Sequence, residues 1–245
     1  MIIRHLCSQK APISTICYTA LKTTEKNRRR SPRLLNKKKP EARTILDIGC
    51  GTAEHHKYLK KEFQVDGLDI NEGFVKLAKA KNPDGAYHVA DMTGFELDKK
   101  YDVLICLFSS IGYVKTLEKL SSALKCFDQH LLPDGLVILE PWLSPENWHN
   151  GRLHMLTYDK EDVKICRMNL SHSEDNLSIL NFHYLYGTPE NGVNHFEERH
   201  ELALFTVDEM KKAFNEAGIE AAYEEVGITG RGIYYGKKKN RIFAY

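Results

Sequence analysis

Thr44-Ile45-Leu46-Asp47-Ile48-Gly49-Cys50-Gly51-Thr52-Ala53-Glu54 decides the fold. A short apolar run of β-type residues enters a glycine pair, and a helical pattern follows. That reads as a buried strand, a tight turn and a helix start. Gly49 and Gly51 let the backbone turn sharply and lie against a ligand with no Cβ in the way. Asp47 puts a carboxylate beside the turn, and a helix over 53–63 is expected to offer unpaired backbone N–H groups at its start. In that helix Tyr58, Leu59 and Phe63 are the inward positions. His55 and His56 are adjacent, point to different sides and read as helix surface, with at most one near a pocket.

The same rhythm continues downstream. Val65–Ile70 is a second strand ending in Asp69, 18 residues beyond Gly51, where a carboxylate can accept both ribose hydroxyls of a nucleoside. Asn71 caps the next helix. Ala86–Ala90 is a third strand, followed by Asp91-Met92. Asp102–Phe108 is apolar throughout, as a parallel strand covered on both faces should be. It runs into Ser109-Ser110-Ile111-Gly112-Tyr113, the carboxyl end of a central strand, where ligands bind in open α/β sheets. A helix over about 116–131 leads to a fifth strand, Leu136–Glu140, and then to Pro141-Trp142.

Residues 151–205 break the rhythm. Leu153–Thr157, Val163–Leu170, Leu177–Tyr186 and Phe196–Phe205 read as antiparallel strands separated by acidic turn signals. Thr206 with Glu209 three residues later makes a capping box for a helix that Gly218 ends. Two last strands, about 219–226 and 232–236, flank the turn Gly230-Arg231-Gly232. The expected organisation is one domain over 44–245 with a β insertion at about 151–205, preceded by an atypical basic segment, 1–43.

Charge divides the chain in the same place. Residues 1–43 carry twelve Lys and Arg against two acids, leaving 23 basic and 31 acidic residues for the rest. An acidic body argues against a nucleic-acid substrate, which wants a basic face, and points to a small molecule. Three readings compete for the basic segment: an organellar targeting sequence, a basic interaction patch or solvated tail, and a frameshift. One base upstream, the codons allowed for Pro12–Lys26 permit Asp-Phe-Asp-Asn-Leu-Leu-Tyr-Ser-x-Lys-Asp-Tyr-x-Lys; sequencing the gene across this region decides. The six cysteines show no paired or metal-ligand spacing and read as reduced, buried thiols of a cytoplasmic protein. No apolar run approaches the ~20 residues of a membrane span.

Two adenosine cofactors compete for the glycine turn. A dinucleotide fingerprint needs a third glycine at position 54, where Glu54 would face the pyrophosphate. S-adenosylmethionine (SAM) has no phosphate and carries two cationic groups, which acidic surroundings suit. Asp47-Ile48-Gly49-Cys50-Gly51-Thr52 resembles motif I of the class I SAM-dependent methyltransferases, with Ala53 where that family often has a third glycine. The resemblance implies a Rossmann-like α/β fold: a seven-strand, mostly parallel sheet, here with an antiparallel β insertion. It implies cofactor contacts from Asp47, Gly49, Gly51, Asp69, Ile70, Asp91, Met92 and Leu107, with Asp91 bonding the adenine amino group and Met92 covering the ring.

Phe108-Ser109-Ser110-Ile111-Gly112-Tyr113, Glu140-Pro141-Trp142, Ser171-His172-Ser173, Leu204-Phe205-Thr206 and Gly230-Arg231-Gly232 resemble one subgroup. It is the N-methyltransferases that dimethylate the 3-amino group of nucleotide-linked 3-amino-3,6-dideoxyhexoses. The resemblance spans about 42–236 and implies methylation of a small amine. Tyr113 is then the candidate for positioning the amine, and Trp142 for walling the sugar pocket. Arg231 is the candidate for a substrate diphosphate, since a guanidinium bonds two phosphate oxygens. His172 and His183 would face the substrate from the insertion. No metal is expected: there is no HxxxH, and His195 and His200 lie on opposite faces of a strand. The expected partners are a small-molecule substrate and a second copy in a homodimer, with neither nucleic acid nor membrane. The rivals are a methyltransferase of another small metabolite, a non-catalytic SAM- or nucleotide-binding protein, and, more distantly, an NAD oxidoreductase.

Overall fold

The computed structural model describes residues 30–239. The targeting, patch and frameshift readings of residues 1–29 lie outside the described residues. The elements run α1 (Arg30–Lys38), β1 (Thr44–Ile48), α2 (His56–Leu59), β2 (Gln64–Asp69), α3 (Glu72–Lys81), β3 (Tyr87–Val89) and β4 (Tyr101–Cys106). A 3-10 turn at Ser110–Val114, α4 (Leu117–His130) and β5 (Leu131–Leu139) follow. Then come β6 (Leu153–Lys160), β7 (Val163–Glu174), β8 (Leu177–Thr188), β9 (Gly192–Ala203), α5 (Val207–Glu216), β10 (Ile219–Glu224) and β11 (Ile233–Lys238).

Seven strands form one sheet in the order β10-β11-β5-β4-β1-β2-β3. β1 to β5 run parallel, whereas β11 is antiparallel to β5 and β10 to β11. The order reverses at β1 and β4, so a crevice opens beyond their carboxyl ends, and this is where open α/β sheets bind ligands. The central strands are apolar on both faces because both are covered. On one face Leu46, Leu104 and Val137 meet Leu120, Ala123 and Phe127 of α4 and Met210 and Phe214 of α5. On the other, Ile45, Val103 and Ile138 meet Leu35, Leu59 and Phe63. Side chains of this size each contribute about 1.5–3 kcal/mol when fully buried.

Leu35 corrects the boundary that charge suggested at 43/44. α1 docks this side chain into the core at 1% exposure, so the packed domain begins before the first strand. Its lysines stay at the rim, where Lys38 Nζ meets Glu224 Oε1 at 2.6 Å and lies over the Tyr235 ring.

The expected helix over 53–63 shrinks to the single turn His56–Leu59. Ala53 has φ +54°, a left-handed conformation that no α-helix contains, so the chain is still turning there. The capping box at Thr206 and Glu209 forms with both reciprocal bonds. The insertion is a separate four-strand antiparallel sheet, β6-β7-β8-β9. β6, β7 and β8 run past their expected ends, and β9 starts earlier and stops short of Phe205, because each pair stays in unbroken register to its hairpin turn.

Candidate active site

The glycine turn presents its shape to the crevice and keeps its N–H groups for itself. Gly49 and Cys50 both donate to the Leu68 carbonyl at 2.9 Å, and Gly51 N–H donates to Asp69 Oδ2 at 2.8 Å. All three N–H groups of the turn itself are therefore engaged, whereas the unpaired donors are expected further on, at the helix start from 53. Gly49 has φ +70°, and a Cβ there would come within 2.7 Å of Ser110 Cβ. Glycine is required both for the backbone angle and for the approach of the loop after β4.

Glu54 also departs from expectation. Its carboxylate pairs with Lys81 Nζ on α3, away from the crevice. The case against a pyrophosphate accordingly moves from Glu54 to the engaged N–H groups, which leave no cradle for an anion at these residues.

A cavity of about 350 Å³ opens beyond the strand ends, lined by Gly49, Asp69, Ile70, Asp91, Met92 and Tyr113 among others. Asp69 is fixed by the Gly51 N–H on one oxygen and by Asn71 N–H, at 2.9 Å, on the other. Each carboxylate oxygen can accept more than one bond. Asp91 accepts from the Thr93 N–H and hydroxyl at 2.9 and 2.8 Å. Ile70 is 71% exposed, an apolar side chain at a strand end that a flat apolar ring would cover. Two carboxylates, apolar walls and a volume within the range of small-ligand pockets fit a cationic nucleoside such as SAM.

Three expected cofactor residues stand back from this cavity. Gly51 is buried and acts through Asp69. Leu107 is 4% exposed and belongs to the core. Asp47, at 1% exposure, lies under the turn. His56 Nε2 donates to Asp47 Oδ2 at 2.8 Å, His55 Nε2 lies 2.9 Å from the same oxygen, and the Tyr87 hydroxyl donates to His56 Nδ1 at 2.6 Å. Both histidines are buried, the reverse of the surface reading, because the tight turn folds residues 55 and 56 back beneath β1. Burial would raise the Asp47 carboxyl, but the two imidazoles, His55 foremost, hold it far below its ordinary value. Burial pushes His56 down and outweighs the pull of Asp47, so this imidazole stays neutral.

Tyr113 stands at the cavity mouth on the 3-10 turn. Its hydroxyl donates to His200 Nδ1 at 2.8 Å. Burial, then the Glu198 and Asp69 carboxylates, push the phenol up to about 12. The turn is preceded by Phe108 and Ser109, both at positive φ, +54° and +66°. Glu140, wholly buried, holds that strained corner by accepting from Phe108 N–H at 2.9 Å. The same carboxylate accepts from the Thr229 N–H and hydroxyl at 2.8 and 2.7 Å, fixing the loop that carries Arg231.

Trp142 and Arg231 form a second group behind Ser109. The guanidinium lies over the indole at 4.5 Å and donates to Ser109 Oγ at 3.2 Å. The indole N–H donates to Ser178 Oγ at 2.8 Å. Burial lowers the pKa of Arg231. Neither residue lines the cofactor-sized cavity; Ser109 and Ser110 separate the two groups. His172 and His183 correct a further expectation. Both point to the outer face of the insertion, His172 beside Glu174 and His183 Nδ1 at 3.2 Å from Glu197 Oε1. His195 joins His183 and Glu197 there, bringing three metal-ligand-type atoms together across two strands, which linear spacing does not reveal. Glu140, Glu198 and His200 are site residues that the sequence reading left unassigned.

A family model described as a methyltransferase domain matches residues 45–135. The chain is 35% identical over 204 residues to the dTDP-3-amino-3,6-dideoxy-alpha-D-glucopyranose N,N-dimethyltransferase of Streptomyces fradiae, covering 83% of this chain and 80% of that protein. It belongs to this family of SAM-dependent methyltransferases. The dTDP-3-amino-3,4,6-trideoxy-alpha-D-glucopyranose N,N-dimethyltransferase of Streptomyces venezuelae is also 35% identical, over 83% of this chain and 86% of its own. The crystal structure of Streptomyces venezuelae DesVI superposes with a TM-score of 0.83 at 33% identity, covering 87% of this methyltransferase and 93% of that chain. SAM-bound CalS10, an amino pentose methyltransferase from Micromonospora echinaspora, gives a TM-score of 0.83 at 27% identity, over 93% and 97%. The methyltransferase thus has the seven-strand class I fold and SAM as its cofactor. Among the described residues, no helix is long and apolar enough to cross a membrane.

Proposed function

We propose that this enzyme methylates the amino group of a nucleotide-linked deoxyamino sugar. The observation that carries this reading is the pairing of two groups across Ser109 and Ser110: a nucleoside-sized cavity ending in Tyr113, and a buried guanidinium stacked on an indole. The substrates named for the Streptomyces relatives support the same chemistry. Asp69 would hold the cofactor ribose, Asp91 and Met92 the adenine, and Gly49 the close backbone wall. SAM supplies a methyl group on a cationic sulfur that is already a good leaving group. The protein's share is alignment and exclusion of water, which can account for much of the acceleration in such a displacement.

Tyr113 holds the amine by accepting one of its N–H protons, which turns the nitrogen lone pair toward the cofactor end of the cavity. Trp142 walls the sugar and Arg231 takes the diphosphate. The enzyme acts as a homodimer in this reading. The outer face of the insertion supports that part, because Leu153 with Leu170 and Met155 with Met168 form exposed apolar cross-strand pairs. Sedimentation at micromolar concentration checks it; a monomer there rejects the dimer. The function is tested by incubating the protein with SAM and a dTDP-3-amino-3,6-dideoxyhexose and following methyl addition by mass spectrometry. Turnover of another amine with none of any amino-sugar nucleotide rejects the sugar assignment. Binding of S-adenosylhomocysteine (SAH) without methyl transfer to any amine favours the non-catalytic rival.

A further inference from the structure

We propose that Tyr113, His200 and Glu198 form a proton relay that accepts the proton released by the amine after methyl transfer, with His200 as its end point. The inference rests on the reading that this cavity methylates an amine. All three residues line the cavity. Tyr113 reaches it from the 3-10 turn, while His200 and Glu198 reach it from β9 of the insertion, so the relay spans the joint between the two sheets.

Its direction follows from the hydrogen bonds. Glu198 Oε2 lies 3.3 Å from His200 Nε2, and an ionised carboxylate can only accept, so the neutral imidazole carries its proton on Nε2. Nδ1 is then an acceptor, and it takes the Tyr113 O–H at 2.8 Å. With its proton committed to His200, the phenol oxygen turns lone pairs toward the cavity. That is the polarity needed to accept from an amine N–H.

After attack, the nitrogen carries four bonds and a positive charge. It returns to neutrality by losing one proton to Tyr113 Oη as the Tyr113 proton passes to His200 Nδ1. The phenol ends neutral, the imidazole becomes imidazolium, and Glu198 faces the new charge. A phenolate is never required, which matters because the surroundings disfavour one. A second methylation of the same amine needs this neutralisation first.

The neighbours define the charge balance around His200. Glu198 on β9 lies against His200 Nε2, and Asp69, Asp91 and Lys119 line the same cavity. Arg167 on β7 is set back by stacking on Phe182 at 4.1 Å, with Phe182 itself 4.9 Å from the His200 ring. Tyr184 on β8, itself buried, lies beside Arg167 and Glu198. Lys115, nearest on the 3-10 side, is held by Glu201 at 2.8 Å.

The test separates the relay from the substrate assignment. In the wild type with SAH bound, ¹⁵N imidazole shifts should give His200 as the Nε2–H tautomer, its signal identified by loss in His200→Asn. The Nδ1–H tautomer overturns the relay whatever the substrate. In kinetics, the Asn amide can still accept the Tyr113 proton but cannot hold one. His200→Asn should keep SAH affinity within about twofold and lower kcat roughly tenfold to a hundredfold, at or below the low end of the ~10²–10⁴-fold typical of positioned proton transfer, since water can stand in. The acid limb of kcat/KM should lose the enzyme's ionisation and keep the substrate's. A folded His200→Asn enzyme with unchanged kcat and an unchanged limb rejects the proposal. If His200→Asn fails to fold, Glu198→Gln serves instead. Losing the carboxylate makes the imidazolium harder to form and moves the enzyme's limb to lower pH; a stationary limb rejects the relay. A wild type that turns over another amine with this His200-dependent limb keeps the relay and rejects the sugar.

Discussion

Acid should loosen this protein from beneath its cofactor turn, and His56 sets where the loss begins. The imidazole is completely buried between Asp47 and Tyr87 and is held neutral in the fold, its pKa below the ordinary 6.5. In the unfolded chain it takes up a proton below about pH 6.5, so the unfolded state binds more protons and stability falls as pH falls. The limit is about 1.4 kcal/mol per pH unit, or roughly 2 kcal/mol lost by pH 5 from this one residue while the folded imidazole stays neutral. Asp47 acts later. Its folded carboxyl is depressed, so its contribution is complete above its unfolded pKa of about 3.9 and disappears as pH drops through the lower folded value. Acid loss between pH 6.5 and 4 therefore reports histidine, and loss below that adds the carboxylate. Urea unfolding of the wild type and of His56→Gln at pH 7.5, 6 and 5 measures it. Gln can still donate to Asp47 but does not titrate, so the variant starts less stable and follows a flatter curve. The difference in slope isolates His56 from the other histidines. Parallel curves would refute the buried, neutral assignment.

Four further outcomes follow from the site. Asp69→Asn should weaken SAH roughly tenfold to a hundredfold, the loss expected when a charged acceptor is removed from a hydrogen-bonded ligand, with the fold intact by circular dichroism. Unchanged affinity by calorimetry takes Asp69 out of the site. Gly49→Ala should cost about 1–3 kcal/mol from its left-handed backbone alone. Because the new Cβ would strike Ser110, it should also abolish SAH binding, and normal binding refutes the close-wall role. Arg231→Ala should raise KM for a nucleotide-linked sugar while sparing SAH affinity. Glu140→Gln should do the same through the loosened Thr229 loop, and a shift in SAH affinity alone would place both residues on the wrong side.

The sheet was legible because each central strand is a short apolar run bounded by turn residues, and because the switch from βα units to antiparallel strands changes the period of the pattern. Asp69 ends β2, and Asp91 and Tyr113 follow β3 and β4, so their place beside the cavity was legible for a related reason: a sequence marks where strands end. What escaped were interactions that depend on how elements meet. Nothing local announces that the turn at Ala53 folds His55 and His56 under Asp47, or that Gly49, Cys50 and Gly51 use their own N–H groups. His200 differs from His195 by strand parity, and parity separates the two faces without saying which one meets Tyr113. His172 and His183 failed on that same ambiguity. Glu140 read as the end of a strand, and its work is to join the corner at Phe108 to the loop at Thr229, which lies 89 residues beyond Glu140 itself.

The insertion also has a mechanical consequence. β7, β8 and β9 are each twelve residues long, roughly 40 Å of strand. His200 sits at the root, opposite Leu180, while the hairpin tips at 160–163 and 188–192 project away from the parallel sheet. The arm is a cantilever whose fixed end carries the proposed relay. Its free end is therefore a permissive place for added sequence: a tag or fluorophore at Glu161 or Glu190 can be carried there without loading the hinge that holds the relay.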